Sequence, residues 1–120
     1  MAPEVITPED GLVFLETPIF QELADEYLGE DGRQTLQNVL LENPEAGPVM
    51  PGTDGARKIR VALEGRGKRG GARVIYYYRQ SRSAVFFLAL YLKNEKGDLS
   101  ADDKDAIKEE IRKIKEEAYP

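Results

Sequence analysis

Lys58 and Arg60 stand two residues apart in a run where Ile59, Val61 and Leu63 alternate with them, Arg73 lies on the next strand-like run, and Lys93 closes the one after it. A β-strand turns every second side chain to the same face, so these four cations are expected to share one sheet surface. On a common face they repel one another, and a surface shaped for stability alone would intersperse acids. Between Arg57 and Arg82 the chain offers nine Lys or Arg and one acid, Glu64. A polyanion is the ligand such a face suits. Tyr76, Tyr77 and Tyr78 alternate faces, so at least one phenol should point toward the cations, where a ring can stack on a splayed base. The plainer reading of the same tyrosines is an edge of the core.

Gly65-Arg-Gly67-Lys-Arg-Gly70 has the spacing G-x-G-x-x-G. A dinucleotide site needs that motif to run from strand into helix, and here another strand follows. A protein-kinase loop does lie between strands, but the remaining kinase motifs are missing. What the segment retains is three cations, Arg66, Lys68 and Arg69, on a flexible loop, suited to wrapping phosphates with release of counterions.

Other chemistries are narrowed by what is missing. The chain has no cysteine and no histidine, which removes disulfides, the usual zinc sites and nucleophiles activated by histidine. No acidic pair has the spacing of a two-metal site, so a metal-dependent nuclease is disfavoured and no cofactor is expected. The net charge of −5 hides a polarity: Arg57–Arg82 carries +8 and the remainder −13. Steering of a polyanion depends on the local field rather than the sum. No apolar run approaches a membrane span and the acidic N-terminus is no secretory signal, so a cytoplasmic protein with no membrane partner is expected.

The elements that must position these residues follow from the pattern. At 120 residues one domain is expected. Residues 1–11, with Pro3 and Pro8, read as a loose leader. Leu12–Leu15 suits a strand. Thr17-Pro18 starts a helix as N-cap and first helical residue, with Ile19, Leu23 and Tyr27 in one stripe and Phe20, Ala24 and Leu28 beside it. After Gly29 and Gly32 a second helix carries Leu36, Val39 and Leu40 as far as Asn43-Pro44. A turn-rich connector then leads to strands over 57–63, 72–80 and 84–93, the last nearly all apolar and so expected to be central. Ser100 with Asp103 resembles a capping box, followed by the stripe Ile107, Ile111, Ile114 and Ala118. The order β-α-α-β-β-β-α predicts an α+β domain with an antiparallel-rich sheet packed against an N-terminal helical hairpin and a C-terminal helix, all helices on one face.

The ordered set Asn43-Pro44-x-x-Gly47, Gly52-Thr53-x-Gly55-x-Arg57-Lys58-Ile59-Arg60, Gly67-Lys68-Arg69-Gly70-Gly71-x-Arg73-Val74-Ile75-Tyr76-Tyr77 and Tyr91-x-Lys93-Asn94-Glu95-x-x-Asp98-Leu99 resembles the HigB branch of the RelE-type toxins. The resemblance implies the toxin of a type II toxin–antitoxin pair, an endoribonuclease that cuts mRNA on the ribosome without metal and leaves a 2′,3′-cyclic phosphate. It also implies a cognate antitoxin, often with a helix-turn-helix DNA-binding domain. Carried over by position, Lys58 and Arg60 match the family's basic pair, Arg73 the arginine at the scissile phosphate, and Lys93 the basic position closing the last strand. Arg57, Lys68 and Arg69 fall at positions expected to hold RNA backbone, and Arg66 on the basic loop, Tyr77 on the sheet and Asn94 next to Lys93 are further candidates for RNA contact. Where related toxins often place a Tyr or His for proton transfer, this chain has Asn94 and Ser100, and no histidine.

Attack of a 2′-hydroxyl on its own 3′-phosphate needs a base, charge stabilisation at phosphorus and an acid for the leaving 5′-oxygen. Arg73 suits the phosphoryl clamp because a planar guanidinium holds two oxygens. Lys58 can serve as base where neighbouring cations ease loss of its proton. Arg60 or Lys93 would stabilise the pentavalent state, and Tyr91 is the substitute proton carrier. Two alternatives remain open: a non-nuclease toxin resembling ParE, acting on another target such as gyrase, and a non-catalytic RNA-binding module.

Overall fold

The computed structural model describes residues 4–6 (as backbone), 11–63, 71–93 and 98–116. Its elements are β1 (Glu4–Ile6), β2 (Val13–Glu16), α1 (Pro18–Tyr27), α2 (Gly29–Glu42), β3 (Arg57–Val61), β4 (Ala72–Arg79), β5 (Ala84–Leu92) and α3 (Ala101–Glu116). The α+β class and the order match the sequence pattern, with one strand added at the head. Glu4–Ile6 pairs antiparallel with β2, inside the stretch expected as a loose leader.

The five strands lie in the order β1-β2-β5-β4-β3. All pairings are antiparallel except β2 with β5, which run parallel. As its composition predicts, β5 is central.

Helix ends follow local chemistry. The Thr17 hydroxyl accepts from Phe20 N at 3.2 Å with Pro18 behind it, and the hairpin between α1 and α2 turns at Gly29, whose φ of +64° glycine adopts without strain. Ser100 and Asp103 close the capping box reciprocally, at 3.0 and 3.1 Å. In α1 the buried stripe is Phe20 and Ala24, continued by Leu28, while Ile19 is 67% exposed.

The expected one-faced packing does not occur. Phe14, Phe20, Leu36, Leu40, Val74, Tyr76 and Phe87 build one core between the sheet and the α1–α2 hairpin. Leu15, Ile75, Phe86 and Leu88 build a second with Ile107, Ile111 and Ile114 of α3. The helices therefore cover opposite faces, because a central strand apolar on both sides must be covered on both.

Opposite Ile75/Tyr76 the register slips: Ile75 pairs with Ala89 and Tyr76 with Phe87, leaving Leu88 as an extra residue in β5. Thr17 occupies this bulge. Its N–H donates to Phe87 O at 3.1 Å and its hydroxyl to Leu88 O at 3.2 Å, so one residue caps α1 and satisfies the irregular strand. The bulge reverses the facing of everything after it. Strict alternation from Ala84 would send Tyr91 to the α1–α2 side; instead Leu88, Ala89 and Tyr91 all join the α3 side.

Candidate functional site

Three residues in register form a row across adjacent strands. Arg60 on β3 pairs with Arg73 on β4, which pairs with Tyr91 on β5. Directly opposed residues on one sheet face have Cβ atoms about 5 Å apart, so two guanidinium groups and a phenol are set side by side by backbone pairing alone. One step along, Lys58 is paired with Ile75 and Ile75 with Ala89, placing Lys58 on the same face. One step the other way, Lys93 N donates to Gly71 O at 3.4 Å, and Lys93 is exposed. The structure thus brings together Lys58, Arg60, Arg73, Tyr91 and Lys93.

Gly71 explains how two arginines fit in one row. The residue is buried, and a Cβ on it would lie 3.5 Å from Arg60 Nε, 3.8 Å from Arg73 Nη1 and 3.2 Å from the Val61 carbonyl oxygen. Both guanidinium groups therefore converge on the space that a side chain would fill.

Helix α3 divides this sheet face. Its apolar stripe covers the half beneath Phe86 and Leu88, and its last turn is held by Arg79, which donates to Ile114 O at 2.7 Å. The other half carries the cations, and the start of α3 borders it. Asp98, two residues before the Ser100 cap, accepts from Leu99 N at 2.8 Å. That bond, with Lys58, Lys104 and Lys93 nearby, holds its carboxyl below the usual carboxylate range. Asp98 thus supplies negative charge to a face that sequence reasoning filled with cations alone. The signal was available in the short link from Lys93 to Ser100, which keeps the start of α3 beside the end of β5.

Two expected RNA contacts are placed elsewhere. Arg57 points to the α1–α2 face, as its alternation with Lys58 requires. There it donates to Gly47 O at 2.8 Å and Glu45 O at 3.2 Å and pairs with the Glu45 carboxylate at 3.1 Å. It anchors the connector before β3. Tyr77 does share the cationic face but lies at its covered end, 6.5 Å from the Phe86 ring and 5.8 Å from Lys115 Nζ, measured to ring centroids. Its half-buried ring packs against the α3-side core. Arg66, Lys68, Arg69 and Asn94 lie outside the described residues.

Chemically, the row offers planar donors for phosphate oxygens, ammonium groups on either side, and one phenol. Among the described residues no helix is long and apolar enough to cross a membrane. The chain matches the family model of the RelE toxin of the RelE/RelB toxin–antitoxin system over residues 52–118. That span contains β3, β4, β5 and α3, and with them every residue of the row. The match covers more than half of the chain, and the chain belongs to the RelE toxin family.

Proposed function

We propose that this toxin is a metal-independent endoribonuclease that cuts mRNA on the ribosome, of the HigB type, and that its antitoxin carries a helix-turn-helix DNA-binding domain. The observation that carries the reading is the convergence of Arg60 and Arg73 over Gly71 with Tyr91 alongside. In the reaction the 2′-oxygen attacks phosphorus, the bond to the 5′-oxygen breaks, and the 2′,3′-cyclic phosphate forms. The 2′-hydroxyl proton leaves to a base, and a proton reaches the departing 5′-oxygen. Arg73 and Arg60 hold the non-bridging oxygens as their charge grows. Lys93 contributes positive charge on one side, and Lys58 on the other is the candidate to take the 2′-hydroxyl proton, with Asp98 close to both. Tyr91, in register with Arg73, gives the proton to the departing 5′-oxygen in this reading. Free RNA would be cut slowly by such a site, the ribosome supplying the aligned geometry.

The test is inducible expression in a bacterium of the wild type and Arg73→Ala, with 5′ ends of mRNA fragments mapped. Growth arrest with in-frame cuts inside translated regions, absent for Arg73→Ala, is the expected result. Arrest without such cuts would reject the nuclease.

A further inference from the structure

On the face of the sheet opposite the cationic row, a cleft of about 630 Å³ opens between Glu16 at the end of β2 and helices α1 and α2, lined by Asp25, Glu30, Asp31, Arg33 and Gln37. Arg33 is spent internally. It holds the buried Glu16 carboxylate at 2.8 and 3.2 Å and pairs with Asp25 at 2.8 Å. Glu30 and Asp31 form no ion pair among the described residues, so the cleft keeps a surplus of negative charge. Their place in the first turn of α2 accounts for those two acids as partners of the helix dipole.

The dipole does not account for Gln37. This residue is only 8% exposed, stands two turns into α2, and its side chain makes no hydrogen bond among the described residues. Nor is the amide sealed in the core, since no fully enclosed side-chain nitrogen or oxygen lacks a partner. It opens into the cleft, with an acceptor and two donors unused.

We propose that this cleft is a binding site for a guanidinium-bearing segment of a protein partner, an arginine that lies across Asp31 and gives one N–H to the Gln37 amide oxygen. A planar fork of donors satisfies a carboxylate and an amide at once, which a compact ammonium does less well. Because α1 and α2 cover the face opposite Arg60 and Arg73, a partner anchored here leaves the cationic row uncovered by that contact. The inference does not depend on the nuclease reading.

The experiment is a titration of the isotopically labelled full chain, carrying Arg73→Ala so that it can be produced, with L-argininamide, and in parallel with lysinamide, spermidine and glycinamide. Backbone and side-chain amide resonances are followed. Saturable movement of the Gln37 side-chain signal and of residues near Asp31, with argininamide binding at least several-fold tighter than the other three, is expected. Gln37→Leu removes an unpartnered amide, so it should stay folded while losing that response, and the exposed Asp31→Asn should weaken it. Drift without saturation, an equal response to spermidine or lysinamide, or an unchanged response in both variants would overturn the proposal.

Discussion

At the scale of single residues, shape of charge matters more than amount. Arg73 has a partner arginine on one side and a phenol on the other, so a lysine there keeps the charge and loses the fork. Arg73→Lys is expected to lower single-turnover cleavage on programmed ribosomes by about 10²-fold or more, the cost of one donor to a developing oxyanion. A lysine as active as arginine would assign this position to non-specific charge. Gly71→Ala tests the same geometry from below. The new methyl meets the Val61 carbonyl at 3.2 Å and enters the space between Arg60 Nε and Arg73 Nη1. Cleavage should fall about 10-fold, by the misplacement argument, with a small drop in melting temperature, since the arginine ends can shift but the Val61 carbonyl is ladder backbone that must give by a few tenths of an ångström.

At the scale of elements, the loop over β3 depends on Tyr76. Its hydroxyl donates to Pro44 O at 2.8 Å and accepts from Gly47 N at 2.9 Å, fixing the connector whose end aims β3. Burial pushes this phenol above its ordinary 10.0, with the Gly47 N–H and Arg57 opposing. The folded state then holds the proton more tightly than the unfolded chain, so its contribution is complete below pH 10.0 and lost as pH rises beyond it. Tyr76→Phe leaves Gly47 N without its acceptor, which should cost about 1–3 kcal/mol at neutral pH. The gap between variant and wild type should narrow in urea titrations above pH 10.0, and a constant gap would remove Tyr76 from the alkaline transition.

The same elements show what the sequence could and could not reveal. Strand and helix positions follow from alternation, from Thr17-Pro18 and from Ser100 with Asp103, and the shared face of Lys58 and Arg60 follows from a period of two, while Arg73 joins them through the β3–β4 register. The resemblance offers Arg57 as an RNA contact too, although the same period sends it to the other face. The facing of Tyr91 could not be read, because it turns on an extra residue, Leu88, that only pairing with β4 and Thr17 makes irregular. The docking of α3 on the second face was hidden for a related reason. An amphipathic stripe states that a helix packs, not where.

At the scale of the whole molecule, a chain of net charge −5 binds a polyanion only if its charges are sorted, and here the sheet sorts them. Lys58, Arg60 and Arg73 lie on one face, while Glu16, Asp25, Glu30 and Asp31 gather around α1 and α2 across it. Two variants separate local field from net charge. Binding to a single-stranded RNA should weaken linearly in log–log form with salt, by a slope of about 0.7 per phosphate neutralised. Arg73→Ala removes one contact and should flatten that slope by about 0.7. The double change Glu30→Gln with Asp31→Asn alters net charge by more, two units, yet touches no phosphate, and should leave the slope where it was. If the acidic double variant changed the slope as much as Arg73→Ala, the RNA would be sensing total charge, and the row of Arg60, Arg73 and Tyr91 would not be its seat.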